Sequence, residues 1–444
     1  MKTQDLAESW LGRVSEFALP FTVPGWRHFA VYLTGSLLAE RRPLVTEMIT
    51  ALSMEKHWRS AEWFLEEGQW PGRWIEGKLA EIASPHCRWH GRNLWAVDDL
   101  KALKTGRNIY GTCPYHEYTS RSCNRAQTIW GHNWVLCGGL SVEEDSRRFL
   151  PACGRLYIRE DYMPPGETFR TKPQMAVEML RLCAGRAGGR NLAIFDGGYA
   201  ICSVVRPLLD PPEGQPRIDF LTRLRRDARI YHAPPAEKSP GRGRPRKWGK
   251  RRPAPQDADQ WDGRWHTTTA KIYGKRRTVR YKKVTGQWHP AGSEARVNVF
   301  ALHVEGYDQN WYLVTSDLDL SARDVAELYA ARFAQEDAHR DLKQQIGFGT
   351  EQGRLKNVVL RSLQLRLTEM TLLWIFKKEL DQTGERWWPK PKWYRHKERG
   401  SMRDVRRLLR RCREEFLEFD WENLNPEKYR PAAAGASVPP ARAA

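Results

Sequence analysis

The chain of 444 residues has few cysteines, and their spacing is unlike that of a metal-binding or disulfide framework. The eight Cys are scattered singly from Cys87 to Cys412, and no C-x-x-C pair occurs. Cys113 and Cys123 enclose His116, but the irregular spacing favours free thiols over a zinc site. The cysteine pattern therefore predicts a protein of a reducing compartment such as the cytoplasm.

Long apolar runs are also lacking. The N-terminal stretch MKTQDLAESWLGRV carries acidic residues early and has no apolar signal core. The most apolar stretch, VVLRSLQLRLTEMTLLWIF, is interrupted by Arg361, Arg366 and Glu369. We therefore expect this stretch to form a helix buried in the protein and not a membrane span.

Acidic residues are fewer than basic ones. Lys and Arg number 73 and Asp and Glu number 53, which gives a net charge of +20 and a pI of about 9.7. A summed positive potential attracts polyanions, so nucleic acid is a candidate partner, although a highly charged soluble surface has the same balance. The length suits two or three domains with a substantial core.

The periodicity of apolar residues changes along the chain. Residues 1 to about 90 repeat apolar positions at roughly 3.6 residues, which predicts helices, either DNA-binding or purely structural. From NLWAVDD (Asn93 to Asp99) onwards, short apolar runs and amphipathic stretches follow in the order β-β-β-α-β-α-β. This order predicts an α/β fold with a mixed sheet and helices packed on it.

An interruption separates this core from a long helix. Residues 233–255 are rich in Pro, Gly, Lys and Arg, which predicts a solvated loop. Alternating strand patterns follow, typical of an inserted antiparallel sheet. Ser321 and Asp324 then form a capping-box pattern, and Gly347 with Gly349 predicts the end of the helix.

This helix carries polar residues on one stripe. Tyr329, Arg332, Glu336 and Lys343 fall at offsets 0, 3, 7 and 14, within an arc of about 60° on a regular α-helix, with Arg340 beside them. The stripe is either an exposed face joined by ion pairs, such as Glu336 with Arg340, or a site for an anionic ligand. Arg and Tyr side chains suit phosphate groups.

Acidic residues also follow two of the predicted core strands. Asp98 and Asp99 end one apolar run, and Asp196 ends another. Strand ends are where sheet-based sites collect functional groups. Together with Glu336, these carboxylates would form an oxygen-rich site suited to Mg²⁺, and two such ions can act on a phosphodiester.

The spacing Y-x2-R-x3-E-x6-K of Tyr329, Arg332, Glu336 and Lys343, joined to VDD, FDGGY and the inserted strands, resembles the DDE transposases of bacterial insertion sequences with the Y-R-E-K signature (insertion sequence family 4-like). The resemblance covers residues from about 90 to 375. It implies an RNase H-like core with an inserted β subdomain, acting in the bacterial cytosol and nucleoid. It also implies cut-and-paste transposition, in which element ends are cleaved and their 3′-hydroxyls are joined to target DNA.

The resemblance also implies particular roles. The catalytic, metal-binding triad would be Asp98, Asp196 and Glu336, with Asp99 as the alternative to Asp98, and would hold two Mg²⁺ ions, for which Mn²⁺ can substitute. Tyr329, Arg332, Lys343 and Arg340 would bind DNA phosphates. The partners would be double-stranded terminal repeats and target DNA, with a homodimer holding both ends.

Some members of that family cleave through a DNA hairpin and stack a flipped base on a Trp of the β insertion. Trp261, Trp265 and Trp288 lie in the corresponding region, and core packing is the alternative for each.

The loop before the inserted strands is strongly basic. Its sequence GRGRPRKWGKRR contains an RGRP core that is similar to an AT-hook, whose arginines enter a narrow minor groove. A phosphate-binding loop without base preference is favoured, and a solvated linker is the third interpretation. The residues concerned are Arg242, Arg244, Arg246 and Lys247.

The sequence leaves three functions open, namely a transposase, an inactive DNA-binding regulator and an RNase H-like nuclease.

The patterns together also predict a domain organisation. The expected domains are residues 1–90 (helical, DNA-binding), 91–230 (core), 231–318 (β insertion with basic loop), 319–380 (core, with the catalytic helix), 381–430 (basic, helical) and 431–444 (disordered tail).

Overall fold

The structure is a computed structural model, and it describes residues 2–40, 43–117, 127–143, 146–234, 247–393 and 396–429. The predicted disordered tail lies outside the described residues. The chain divides into two compact units, one formed by Met1–Ile75 with Leu342–Ala444 and the other by Glu76–Asp341.

Helices and strands follow in an order close to the predicted one. The helices are α1 (Thr3–Ser15), α2 (Val23–Leu38), α3 (Val45–Thr50), α4 (Trp58–Glu66), α5 (Gly72–Ala83), α6 (Lys172–Ala187), α7 (Cys202–Leu209), α8 (Ala322–Ala331), α9 (Ala334–Asp341), α10 (Lys356–Gln382), α11 (Met402–Arg410) and α12 (Arg413–Leu417). The strands are β1 (Arg88–Trp89), β2 (Arg92–Leu103), β3 (Cys113–Glu117), β4 (Gln127–Glu143), β5 (Ser146–Tyr157), β6 (Arg190–Phe195), β7 (Ile218–Arg223), β8 (Ile230–Tyr231), β9 (His266–Ile272), β10 (Lys275–Trp288), β11 (Gly292–Val304) and β12 (Trp311–Thr315).

The unit Glu76–Asp341 is built on one large mixed sheet, as expected for an α/β fold. Its strand order is β3-β4-β2-β6-β7-β12-β11-β10-β8, with β5 beside β4 and β9 beside β10. Strand β6 runs parallel to β2 and β7, and β2 runs antiparallel to β4. Residues 92–97 of β2 are all buried, because helices cover both faces of the sheet at this strand. Such a sheet is compatible with an RNase H-like fold.

The inserted strands extend this sheet. Strands β9 to β12 pair antiparallel with one another, as their alternating sequences predict. However, β12 also pairs with β7, so that the insertion and the core share one sheet. The pairing satisfies the backbone groups along the edge of β7, which would otherwise be exposed.

Helices α6 and α8–α9 lie on opposite faces of the sheet. Lys172 on α6 binds Asp99, whereas Arg332 after α8 binds Asp98, and successive strand residues point to opposite faces. Helix α8 begins with the predicted capping box, in which Ser321 accepts from the backbone of Asp324 and Asp324 accepts from the backbone of Ser321. This box fixes where the helix starts beside the strand ends.

The long helix expected from residue 322 to 346 is interrupted. Helix α8 ends at Ala331 and α9 begins at Ala334, and the five residues Leu342–Ile346 form a π-helical turn. At the break, the amides of Arg332 and Phe333 donate three residues back, to Tyr329 and Ala330, at 3.3 Å each. These tighter turns advance by more than 100° per residue. The stripe therefore does not have the regular α-helical geometry assumed from the sequence.

The unit formed by Met1–Ile75 with Leu342–Ala444, which we call the helical unit, buries the apolar stretch of α10. This confirms the expected buried helix. Arg366 and Glu369 on α10 are buried with it and are hydrogen-bonded through Ser36 on α2. Ser36 Oγ donates to Glu369 Oε2 at 2.5 Å, and Arg406 Nη2 lies 3.6 Å from Glu369 Oε1. Partnered charges of this kind explain why charged residues interrupt a buried helix. Within the described ranges, no helix has the length and apolarity that crossing a membrane requires.

A close approach of α2 and α3 gives a prediction for stability. A Cβ at Gly35 would lie 2.1 Å from the carbonyl oxygen of Met48, which is backbone and cannot move aside cheaply. We expect Gly35→Ala to lower the free energy of unfolding by about 1–3 kcal/mol, as overpacking does. At Gly185, in α6, nothing lies within 4 Å of an added Cβ. Gly185→Ala should therefore raise the free energy of unfolding by up to about 1 kcal/mol. Urea unfolding of both variants checks this, and equal midpoints would contradict it.

Candidate active site

Two acidic residues lie side by side where parallel strands β2 and β6 meet. Val97 pairs with Phe195 across these strands, so the next residues, Asp98 and Asp196, are neighbours. Strand β6 ends at Phe195, and Asp196 caps the following turn by accepting a hydrogen bond from the amide of Gly198 at 2.9 Å. Asp196 directly follows β6, as predicted, whereas Asp98 and Asp99 lie inside β2, which continues to Leu103 and pairs Asp98 with Leu136 of β4. The prediction that Asp98 and Asp99 stand at a strand end is therefore wrong, because β4 continues to pair with β2 beyond the end of the apolar run.

Asp98 is the more enclosed of the two carboxylates. Its Oδ1 accepts from the backbone amide of Asp99 at 2.8 Å, and its Oδ2 accepts from Arg332 Nη1 at 3.1 Å. Burial raises the pKa of Asp98 to about 6, against the opposing effect of Arg332, and the charges of Asp196 and Asp99 add to the increase. A second cation near Asp98, in addition to Arg332, would therefore favour the ionised form of the Asp98 carboxyl group.

Asp99 belongs to a different environment, on the other face of β2. It accepts hydrogen bonds from Lys172 Nζ and, at 2.5 Å, from the hydroxyl of Tyr199. Burial and the charge of Asp99 both raise the pKa of Tyr199, so the tyrosine remains a neutral donor. Sequence reasoning missed Lys172 and Tyr199, although Tyr199 stands in the FDGGY stretch.

The break between α8 and α9 brings Arg332 between two carboxylates. Besides its bond to Asp98, its Nη2 lies 3.7 Å from Glu336 Oε1. The side chain of Glu336 is half exposed, whereas that of Arg332 is 16% exposed. Arg332 therefore links Asp98, on the central strand β2, to the helix that carries Glu336.

Tyr329 lies beside this cluster. The guanidinium of Arg332 lies 5.9 Å from the ring centre of Tyr329, and Trp311 packs against the ring edge-on. Burial raises the pKa of Tyr329, and the charges of Arg332 and Arg223 oppose that increase. Arg223, at the end of β7, is a further basic residue of this site that sequence reasoning missed, since a single Arg ending a strand carries no recognisable signal.

The remaining predicted residues differ in what the structure shows of them. Arg340 pairs with Asp337 at 2.8 Å and not with Glu336, and Lys343 lies on the π-helical turn, in the stretch assigned to the helical unit. Lys247 is exposed. The other predicted loop arginines, Arg242, Arg244 and Arg246, lie outside the described residues.

The tryptophans of the inserted strands differ in exposure. Trp261 and Trp288 are 3% and 4% exposed, which agrees with core packing. Trp265 is partly exposed, with the guanidinium of Arg280 at 5.6 Å from its ring centre. Stacking on a base therefore fits Trp265 better than the other two.

The carboxylates do not form a ready-made metal site. Over the residues that the structure describes, no group of three or more His, Cys, Asp and Glu could hold a metal ion as it stands. The donor chemistry still fits a hard divalent cation, because Asp98 and Asp196 are neighbours and Arg332 is the cation shared by Asp98 and Glu336.

A cavity of about 530 Å³ borders α8 and α9 on the side of the β9–β10 turn. Arg147, Lys271, Tyr273 and Phe333 line it, and the aromatic side chains of Tyr273 and Phe333 are 45% and 43% exposed. The acidic residues Glu143 and Asp337 also line it, so its wall combines exposed aromatic rings with charges of both signs.

A comparison with models of known protein families identifies the family of this chain. The family model described as DDE superfamily endonuclease matches residues 24–286, which is more than half of the chain. The chain therefore belongs to the DDE superfamily endonucleases, a family that acts on DNA. The matched region includes Asp98 and Asp196 and ends before Glu336. A search of curated proteins finds no match to the sequence.

Proposed function

We propose that the protein is a cut-and-paste transposase. It cleaves DNA at the ends of its element and joins the freed 3′-hydroxyls to target DNA. The observation that carries the proposal is that Asp98 and Asp196 directly follow the paired residues Val97 and Phe195, and that Arg332 contacts both Asp98 and Glu336. Membership of the endonuclease family and the Y-R-E-K signature support it.

Asp98, Asp196 and Glu336 are the proposed catalytic residues. Asp98 is preferred to Asp99 because it shares Arg332 with Glu336, whereas Asp99 is engaged by Lys172 and Tyr199 on the opposite face. The same three carboxylates would hold two Mg²⁺ ions, and Mn²⁺ would substitute. When bound, the ions activate the attacking oxygen and stabilise the leaving oxygen of the phosphodiester.

Arg332 has two successive partners in this proposal. Without DNA, its guanidinium neutralises Asp98 and approaches Glu336. A DNA phosphate offers it a bidentate anionic partner, so that DNA binding would release the oxygens of Asp98. Arg332 thus couples substrate binding to the availability of the carboxylates. Mn²⁺ titration followed by electron paramagnetic resonance checks this, since DNA should strengthen Mn²⁺ binding to the wild type and Asp196→Asn should abolish it.

The proposed substrates are the double-stranded terminal repeats of the element and a target duplex, in the bacterial cytosol and nucleoid. Tyr329, Arg332, Lys343 and Arg340 would bind phosphates near the cleaved bond, and the basic loop ending at Lys247 would bind the backbone without base preference. A homodimer would hold both ends of the element, because cut-and-paste transposition requires them together.

The two neighbouring aspartates of β2 provide a matched pair of variants. We expect Asp98→Asn to abolish cleavage, because the carboxylate near Asp196 and Glu336 is lost. Asp99→Asn should retain most cleavage, since an amide still accepts from Lys172 and Tyr199, and should cost about 1–3 kcal/mol of stability. Cleavage of a labelled end fragment and urea unfolding measure the two effects. Loss of cleavage in Asp99→Asn alone would reverse the assignment.

One assay separates the proposed function from its alternatives. The full chain is incubated with labelled end fragments, a supercoiled target and Mg²⁺. Covalent joining of end fragments to the target supports a transposase. Cleavage without joining at any divalent metal concentration indicates a nuclease. Specific binding of the ends without cleavage indicates an inactive, DNA-binding regulator.

A further inference from the structure

Half of the net charge of the protein lies in a short C-terminal segment. Residues 386–413 contain twelve Lys and Arg and two Asp and Glu, a net charge of +10 out of +20 for the chain. The segment ends in helix α11 and lies within the helical unit. None of the proposed catalytic residues lies in this segment, so its charge needs a separate explanation.

Some arginines of α11 have a structural role. Arg406 Nη2 donates to the carbonyl oxygen of Ser36 at 2.8 Å, and Arg410 Nε donates to that of Leu37 at 2.9 Å. These carbonyls end helix α2, where cations satisfy unpaired acceptors and complement the helix dipole. Arg406 and Arg410 therefore hold α11 against α2.

Three other arginines, two on α11 and one at its C-terminal cap, are exposed. Arg403, Arg407 and Arg411 follow one another at four-residue intervals, about 6 Å apart along the helix axis, and all three are exposed. No hydrogen bond, ion pair or ring contact joins their side chains to the part of the chain that the structure describes. The only acid of α11, Asp404, is buried and accepts from Lys397 at 2.6 Å.

This row of charges opposes helix stability in the isolated protein. Like charges four residues apart on a helix repel one another and destabilise the helix. Duplex DNA presents one negative charge per about 1.7 Å of its axis, so it can neutralise all three guanidiniums at once. A polyanion of this charge density is the partner that the row fits.

We propose that Arg403, Arg407 and Arg411 form a binding surface for the phosphate backbone of duplex DNA, which we call the α11 arginine row. It contributes affinity without base preference and is additional to the phosphate contacts proposed at the active site. The choice of DNA as the polyanion rests on the proposed function.

The salt dependence of binding tests the α11 arginine row. The full-length wild type and the triple variant Arg403→Gln, Arg407→Gln, Arg411→Gln are titrated with a labelled 30-base-pair duplex between 50 and 200 mM salt, without divalent metal. Each lost phosphate contact lowers the slope of log K against log[salt] by about 0.9, so the slope should fall by about 2.7. Over this range the wild type should lose roughly 40-fold more affinity than the variant.

A matched control removes the same charge elsewhere. Arg159, Arg217 and Arg225 are each paired with the aspartate two residues later, at 2.8, 3.4 and 3.1 Å. Their triple Gln variant also loses three charges, and its slope should stay near that of the wild type. An equal fall in both triple variants would mean that only net charge matters and would overturn the proposal.

A conservative variant separates binding from folding. Replacing the three arginines of the row by Lys keeps the charge and should restore most of the slope. Circular dichroism and thermal melting show whether each variant is folded. An unchanged slope in a folded Gln variant, or a fall seen with duplex RNA but not with DNA, would overturn the proposal. Neither result would affect the catalytic triad, which is tested by cleavage and joining.

Discussion

We expect Glu336→Gln to abolish cleavage of element ends and to leave end binding unchanged, which is the largest effect expected for any single substitution in the protein. The side chain is half exposed and lies 3.7 Å from Arg332, which keeps its bond to Asp98 without it. Exposed substitutions of this kind change stability by less than about 0.5 kcal/mol. The loss in rate should reach about 10³-fold or more, because bound metal stabilises the transition state by several kcal/mol.

The adjacent residue is the control for this variant. Asp337 also lies on α9 and pairs with Arg340 at 2.8 Å. Asp337→Asn removes the same charge one position further along and should keep cleavage near the wild-type rate. Cleavage and gel-shift assays on the same end fragment give both readouts. Cleavage retained by Glu336→Gln would remove Glu336 from the site and leave the stripe as an exposed charged face.

Asp317→Ala should have the largest effect on stability. Asp317 is 1% exposed and accepts from Arg92 Nη2 and Arg190 Nη2 at 3.1 Å each, as well as from Arg92 Nε. These bonds tie β2 and β6 to the segment after β12. Removing the carboxylate leaves the buried guanidinium of Arg92 with the exposed Asp319, at 3.5 Å, and the carbonyl oxygen of His90 as its remaining partners, so we expect a loss of about 3–5 kcal/mol in the free energy of unfolding. Urea unfolding followed by circular dichroism measures it.

Asp319 gives the exposed counterpart of this substitution. It lies 3.0 Å from Arg190 with 68% of its side chain exposed, so Asp319→Ala should cost at most about 1 kcal/mol. Similar losses for the two variants would contradict the argument from burial.

The ion pair of Asp317 with Arg92 also makes the free energy of unfolding depend on pH. Burial acts to raise the pKa of Asp317, but the hydrogen bond and charge of Arg92 outweigh it and lower the pKa. Its stabilisation is therefore fully present above the unfolded Asp pKa of about 3.9 and is lost as pH falls through the lower folded value. The difference between wild type and Asp317→Ala should shrink over that acidic range, and a difference that grows there would contradict this assignment.

The candidate site shows which parts of such a protein can be predicted from the sequence. The apolar runs before Asp98 and Asp196 identified two strands, because strand periodicity is a local property. The end of β6 before Asp196 was also predicted correctly, whereas β2 continues past Asp98 to Leu103. The parallel pairing of Val97 with Phe195 then explains why these acids meet. The roles of Asp98, Asp196 and Glu336 in catalysis remain predictions that the proposed variants test.

The helix carrying Glu336 shows where sequence periodicity is insufficient. The start of this helix could be predicted from the Ser321–Asp324 capping box, a contact between neighbours in the chain. The break at Arg332–Phe333 and the π-helical turn after Asp341 could not be predicted, since nothing in the local sequence forbids a regular helix there. At the break, Arg332 contacts Asp98 on β2 and Glu336 on α9, which joins residues far apart in the chain.

The sequence by itself determined the order of strands and helices along the core, the buried character of α10, the capping of α8 and the excess of positive charge. Each follows from composition or from residues close together in the chain. Only the tertiary structure decided that Asp98 faces Arg332 while Asp99 faces Lys172, and that β12 joins the insertion to β7. These contacts join residues far apart in the chain. Which helix covers each face of a strand depends on how the whole chain packs, and no local pattern records it.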